Sequence, residues 1–250
     1  KRSGAYVNGA AYDVHPYMLL NHQDDYASTS TLAHESGHLV HSMYSNEAQP
    51  FPTADYETFV AEVASITDEW LFFEHMLDTV DQDKHKLAIL GNFLESLRTT
   101  VYRQTMFAEF EREIHNMAEQ SKPLTADTMN EIYLDLLRRY HGHGEGVCNI
   151  DERYAVEWAF IPHFHYDYYV YSYATSFVAA TAFAQKIQEN PDVAQVYVDE
   201  VLKAGSSKPP VEILRSAGVD MTTPQPIRDT VAAMNDIMDR IEAILAKKND

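Results

Sequence analysis

A chain of 250 residues is long enough to bury one substantial core, and its formal net charge of −19 argues against nucleic acid or an anionic membrane surface as a partner. Although 45% of the residues are hydrophobic, no apolar run approaches the ~18 residues of a membrane span, and the N-terminus lacks the apolar core of a signal peptide. A single cysteine, Cys148, excludes an intrachain disulfide framework and suits a reducing, cytoplasmic setting.

Only 9 Gly and 10 Pro stand among long runs of helix formers, so the chain reads as mainly α and as one domain over residues 1–250. Its first stretch is the exception. Asn8-Gly9 is a turn signal, and the residues around it and around Pro16-Tyr17-Met18-Leu19-Leu20 favour short strands. This is either a small hairpin packing on the first helix or an edge strand that pairs with an extended peptide.

Ser28, Thr29, Ser30 and Thr31 offer N-caps for a helix that should end near Ser45. It carries His34-Glu35-Ser36-Gly37-His38, an H-E-x-x-H pattern. Four residues apart on a helix, His34 and His38 project from one face, a spacing that lets two imidazoles hold one tetrahedral zinc. Glu35 sits about 100° around the axis, where its carboxylate can reach a water at the metal without being a ligand. Zinc lowers the pKa of such a water toward ~7, and a neighbouring carboxylate can take its proton.

After Pro50-Phe51-Pro52, a second helix is expected from about Ala54 to Leu77. In it Glu62 is flanked by Val60, Ala61, Val63 and Ala64, a poor setting for a solvated carboxylate and a costly one for an unpaired buried charge. A bound metal or an arginine would make it tolerable; with His34 and His38 in hand, Glu62 reads as the third ligand. Glu69 and Asp68 are candidates, weaker than Glu62, to orient a ligand imidazole through its other nitrogen. A long amphipathic scaffold helix is expected from Asp83 to about Gln120, with His85 and His115 as ordinary surface histidines. Thr125 should cap a further helix through Tyr140. His141-Gly142-His143-Gly144-Glu145-Gly146 then reads as a loop over a substrate rather than a second metal site.

The second chemical stretch runs from Phe160 to Thr175, with Tyr166, Tyr168, Tyr169, Tyr171 and Tyr173 packed into eight positions. If it is helical, Tyr166, Tyr169 and Tyr173 share one face. Some of these rings must be core packing. A neutral phenol or imidazole can also donate to an oxyanion, and His163 with Tyr166 and Tyr173 are the candidates. The remainder from Ala179 is helical, with breaks at Asn190-Pro191, Gly205 to Pro210 and Thr223 to Pro226.

These pieces together resemble the catalytic, C-terminal half of oligoendopeptidase F, in the thimet oligopeptidase-like group of zinc metallopeptidases. The matching stretches are Lys1 to Tyr6, Pro16-Tyr17, Thr31 to His38, Phe59 to Ser65, Ile161 to Phe164, Tyr169 to Thr175 and Ala217 to Asp220. The resemblance implies a zincin-like helical fold and one Zn2+ per chain on His34, His38 and Glu62, with Glu35 as general base. It also implies that His163, Tyr166 and Tyr173 assist the tetrahedral intermediate, with Tyr169 or Tyr171 able to replace Tyr166. Family members carry a long N-terminal helical region that walls one side of a substrate channel, so this chain is expected to be the C-terminal portion of a longer polypeptide or to have that wall supplied otherwise. The expected activity is hydrolysis of internal bonds in short peptides, without nucleic acid or membrane partners. The alternatives are a dipeptidase or carboxypeptidase on the same chemistry, or a peptide-binding fragment without catalysis.

Overall fold

The structure, a computed structural model, describes residues 4–9 and 11–247; Lys1 to Ser3 of the first matching stretch lie outside the described residues. It is mainly α-helical, with one two-stranded antiparallel sheet among the described residues. The chain forms two compact units, Lys1–Ser96 with Thr175–Asp250, and Leu97–Ala174.

In the first unit, β1 (Ala5–Asn8) pairs with β2 (Tyr17–Leu20) in the register Ala5↔Leu20 to Asn8↔Tyr17. Asn8-Gly9 is therefore not a two-residue hairpin turn: Asn8 ends the ladder and Gly9 begins a longer connection. Helix α1 (Tyr26–Ala48) starts earlier than the Ser28–Thr31 cluster promised. Asp25 is its N-cap, accepting the Ser28 backbone N–H at 2.8 Å, and an ionised carboxylate is the stronger acceptor at a helix start. Its end runs on to Ala48, past Ser45, whose hydroxyl faces inward and donates to the Ala54 carbonyl at 2.6 Å. Pro50 then opens the single turn α2 (Phe51–Ala54). The second long helix, α3 (Thr58–Thr79), begins only after Asp55 and Glu57, both in extended conformation. Helix α4 spans Asp83–Leu97.

Helix α1 lies against α3 over much of its length, and Gly37 shows how closely. A Cβ there would stand 2.6 Å from the Ala64 carbonyl oxygen and 2.6 Å from Ser65 Cα, both backbone atoms that cannot swing away. Gly37 sits between His34 and His38, so the approach that its missing side chain permits brings those histidines to α3. Gly37→Ala is expected to cost about 1–3 kcal/mol of stability through overpacking, and to weaken metal binding because Glu62 is on the displaced partner. Thermal unfolding and a zinc titration check this; parental values in both would mean that the two helices do not meet there.

The core behind that contact is Val60, Val63 and Ala64 of α3 with Ala179, Ala182 and Phe183 of α7 (Tyr171–Glu189). Helix α8 (Val193–Tyr197) with the π-helical turn that follows it, and α9 (Pro210–Ser216), complete it through Tyr197, Val201, Ile213 and Leu214. A second patch stacks Phe73 on Phe93 at 4.0 Å, with Trp70 edge-on to Phe93 at 4.6 Å. The C-terminal α10 (Gln225–Ala246) follows the expected break at Thr223 to Pro226.

In the second unit, the expected uninterrupted helix contains a π-helical turn at Arg98–Tyr102, before α5 (Arg103–Glu119). Helix α6 (Ala126–Tyr140) is capped by Thr125 as expected. Met106, Phe107 and Phe110 of α5 pack on Tyr133, Leu136 and Leu137 of α6. No helix among the described residues is long and apolar enough to cross a membrane.

Candidate metal centre

Three side chains from two helices of the first unit converge. His34 and His38 come from α1, one turn apart, and Glu62 from the second turn of α3. Glu62 Oε2 lies 3.5 Å from His34 Nε2, and Glu62 Oε1 lies 3.8 Å from His38 Nε2. One donor atom from each residue falls within 4.8 Å of the other two. Donors that share a tetrahedral zinc at about 2.0–2.1 Å stand roughly 3.4 Å from one another. The spacing, and a set of two imidazoles and a carboxylate, fit that ion. Glu62 makes no ion pair with a lysine or arginine among the described residues, so the arginine alternative does not hold. It is the one such metal-capable group of histidine, cysteine and carboxylate side chains among the described residues.

The surroundings order these donors. Glu69, two turns beyond Glu62, places Oε2 3.3 Å from His34 Nδ1, and its other oxygen accepts the Ser30 hydroxyl at 3.1 Å. A proton on Nδ1 donated to Glu69 would leave Nε2, on the Glu62 side, as the nitrogen offered to a metal. The sequence offered Asp68 as well; its half-buried carboxyl is pushed up to about 6 by desolvation, with the His34 charge opposing, and the ring contact belongs to Glu69. Burial lowers His34, but the Glu69 hydrogen bond and the charges of Glu62, Glu69 and Glu35 carry it above its ordinary value. His38 falls below its ordinary value through burial, opposed by Glu62 and assisted by His34. Glu69→Gln keeps the size and removes the charged acceptor, so zinc affinity should fall about 10–100-fold. Competition against a chromophoric chelator reads this, and an unchanged affinity would show that Glu69 does not orient the ring.

Glu35 is 7% exposed, and its Oε2 has no hydrogen-bond partner among the described residues. Burial holds its carboxyl above the usual carboxylate range, with Glu62 adding and His34 opposing. A buried carboxylate oxygen without a partner is expensive, and here it belongs to the residue next to the first histidine. On the same helix His41 is wholly buried, stacks on Tyr56 at 3.6 Å and is pushed down to about 3, chiefly by burial, so it is a neutral ring. No motif marks His41; its i+3 spacing from His38 is the one signal in the sequence.

The aromatic stretch, up to Ala174, belongs to the second unit. It is not the helix that the shared-face argument assumed. Pro162–His165 is a 3₁₀ turn, Asp167 and Tyr168 are left-handed with φ of 48° and 53°, and α7 begins only at Tyr171. Glu111 steadies the bend by accepting the Tyr168 N–H at 2.7 Å. The rings gather all the same: His163 lies 6.0 Å from Tyr166, 5.9 Å from Tyr169 and 6.1 Å from Tyr173. Tyr173 Oη donates to Tyr169 Oη at 3.4 Å, so Tyr169 belongs to the group as much as Tyr166 does. In the glycine-rich loop, His141 Nδ1 reaches the Leu137 carbonyl and His143 Nδ1 accepts the Ile150 N–H, which engages both rings locally.

The family model for peptidase family M3 matches residues 1–233. The oligopeptidase PepF of Bacillus subtilis is 45% identical over 248 residues, 99% of this chain and 36% of that protein. The group B oligopeptidase PepB of Streptococcus agalactiae is 40% identical over 99% of this chain and 40% of that one. Among solved structures, oligoendopeptidase-F from Enterococcus faecium superposes with a TM-score of 0.76 and 35% identity, covering 88% of this chain and 40% of that one. The chain thus spans little more than a third of the length of the curated relatives it matches.

Proposed function

Because this chain belongs to peptidase family M3, we propose that it is a zinc-dependent endopeptidase that cuts internal bonds of short oligopeptides. The observation that carries the reading is the convergence of His34, His38 and Glu62 beside a buried, unpartnered Glu35 oxygen. A zinc ion on those three donors would supply a Lewis acid that polarises the scissile carbonyl and acidifies a water.

The chain's own residues do the rest. Glu69 fixes the His34 ring, and Gly37 fixes the distance between the two helices. Glu35 accepts a proton from the attacking water and hands it to the departing amine. A carboxyl held above the usual carboxylate range suits both transfers, since too low a pKa would leave a poor base for the water and too high a pKa a poor acid for the amine. His163, Tyr166 and Tyr173 enter the proposal on the family resemblance, as donors to the oxyanion of the tetrahedral intermediate. His163→Ala and Tyr173→Phe should then depress kcat with little change in KM, by on the order of 10²–10³ for a lost oxyanion donor. A parental kcat in both would reduce the group to packing.

The function itself is tested by incubating the zinc-loaded protein with short internally quenched peptides and mapping the product ends. Internal cuts are expected. Release of single residues or dipeptides from one end would replace the endopeptidase reading with an exopeptidase, and no turnover of any peptide would leave a binding protein.

A further inference from the structure

A cleft of about 450 Å³ opens beside the metal centre, with His38 on its wall, and the proposed mechanism does not use it. It lies within the first unit. Tyr12, Phe51 and Tyr56 line it together with Asp55 and Asn46, and no lysine or arginine among the described residues does. Tyr12 and Tyr56 are held in place, while Phe51 is largely exposed. Tyr12 donates its hydroxyl to the Gln49 carbonyl at 2.8 Å, and its ring meets Phe51 edge-on at 5.6 Å. Tyr56 stacks on buried His41, and its hydroxyl shares a 2.6 Å hydrogen bond with Ser42. Gly9 guards that anchor, because a Cβ there would overlap the Ser42 hydroxyl. The carboxylate of Asp55 is steadied by the Tyr56 backbone N–H at 2.9 Å and has no ion-pair partner among the described residues.

Fixed aromatic rings attract a cation through their quadrupoles, and they pack equally well on the methylene stem that carries it. An unneutralised carboxylate on the same wall adds a charge-assisted acceptor, and it would penalise an apolar or acidic occupant. A net charge of −19 draws cationic peptides toward the chain in the first place. Resting on the peptidase reading, we propose that this cleft is the subsite for an arginine or lysine side chain flanking the cleaved bond, and that Asp55 sets that preference.

The test uses quenched peptides that differ at one position, carrying arginine, its uncharged twin citrulline, leucine or glutamate, with the position moved along the peptide. Two ratios of arginine to citrulline are read: kcat/KM for the zinc-loaded chain, and affinity for the zinc-free chain by calorimetry. Both should favour arginine about fivefold to tenfold at one position next to the cut. Asp55→Asn should shrink each ratio to about twofold, the part left to the rings, and Asp55→Lys should turn the preference toward glutamate. Each ratio is taken within one preparation, so a partly folded variant cannot imitate the effect. Equal handling of arginine and citrulline by the parent, a preference for leucine, or a ratio unmoved by Asp55→Asn overturns the assignment. Selective binding of the arginine peptide without cleavage would count against the peptidase reading and for the subsite. Cleavage of both peptides at equal rates would do the reverse.

Discussion

Glu35→Gln is expected to leave the protein folded and loaded with zinc while peptide turnover falls by about 10²–10⁴-fold, the range of a positioned general base. Glutamine matches glutamate in size, so the packing around a side chain that is 7% exposed survives. The amide cannot accept a proton at working pH, so the attacking water keeps its own and the departing amine receives none. Metal binding should persist because Glu35 is not among the proposed donors, His34, His38 and Glu62. Stability should hold or rise slightly, since the change replaces a buried carboxylate whose Oε2 has no partner. Zinc content and turnover measured on one preparation decide the matter. Substantial residual turnover would remove Glu35 from the chemistry, and loss of zinc would make it a ligand.

The second large effect concerns the donors. Glu62→Ala and His38→Ala should each reduce zinc affinity by more than the roughly 10–100-fold that loss of an outer partner such as Glu69 brings. They should do so by different routes. His38→Ala removes a donor and leaves Glu62 with His34 at 3.5 Å and the Ser65 hydroxyl at 3.0 Å. Glu62→Ala removes the only carboxylate of the set and, with it, one of the two acceptors of the Ser65 hydroxyl, the backbone carbonyl of residue 62 at 3.2 Å remaining. Zinc content after gel filtration reads the outcome. Full occupancy in either variant would dismiss that residue as a ligand.

Much of this site could be read in the sequence because its chemistry is local. The H-E-x-x-H spacing sets two imidazoles on one face whatever the surroundings, and Glu62 stood out because Val60, Ala61, Val63 and Ala64 deny it water. Glu69 was legible for the same reason, as an acidic residue two turns along the same helix. Boundaries were harder. Asp25 outcompeted four hydroxyl residues as N-cap because its charge is the better acceptor, and the turn α2 with Asp55 to Glu57 delayed α3 where periodicity alone had run a helix through. The aromatic stretch misled in its backbone. Two consecutive left-handed non-glycine residues, Asp167 and Tyr168, carry no sequence signal, and the acceptor that steadies them, Glu111, is 57 residues away. His163 and the tyrosines still meet, through a bend rather than along a helical face. Tyr56, Ser42 and His41 escaped notice altogether, because their contacts form only once the turn after α2 folds back on α1.

The most direct measurement is an anomalous difference map, recorded across the zinc absorption edge from crystals of the zinc-loaded protein. One strong peak per chain is expected, at about 2.0–2.2 Å from His34 Nε2, His38 Nε2 and a Glu62 oxygen, with Glu35 near it but outside bonding distance. A peak bonded to Glu35 in place of Glu62, or no peak between α1 and α3, would contradict it.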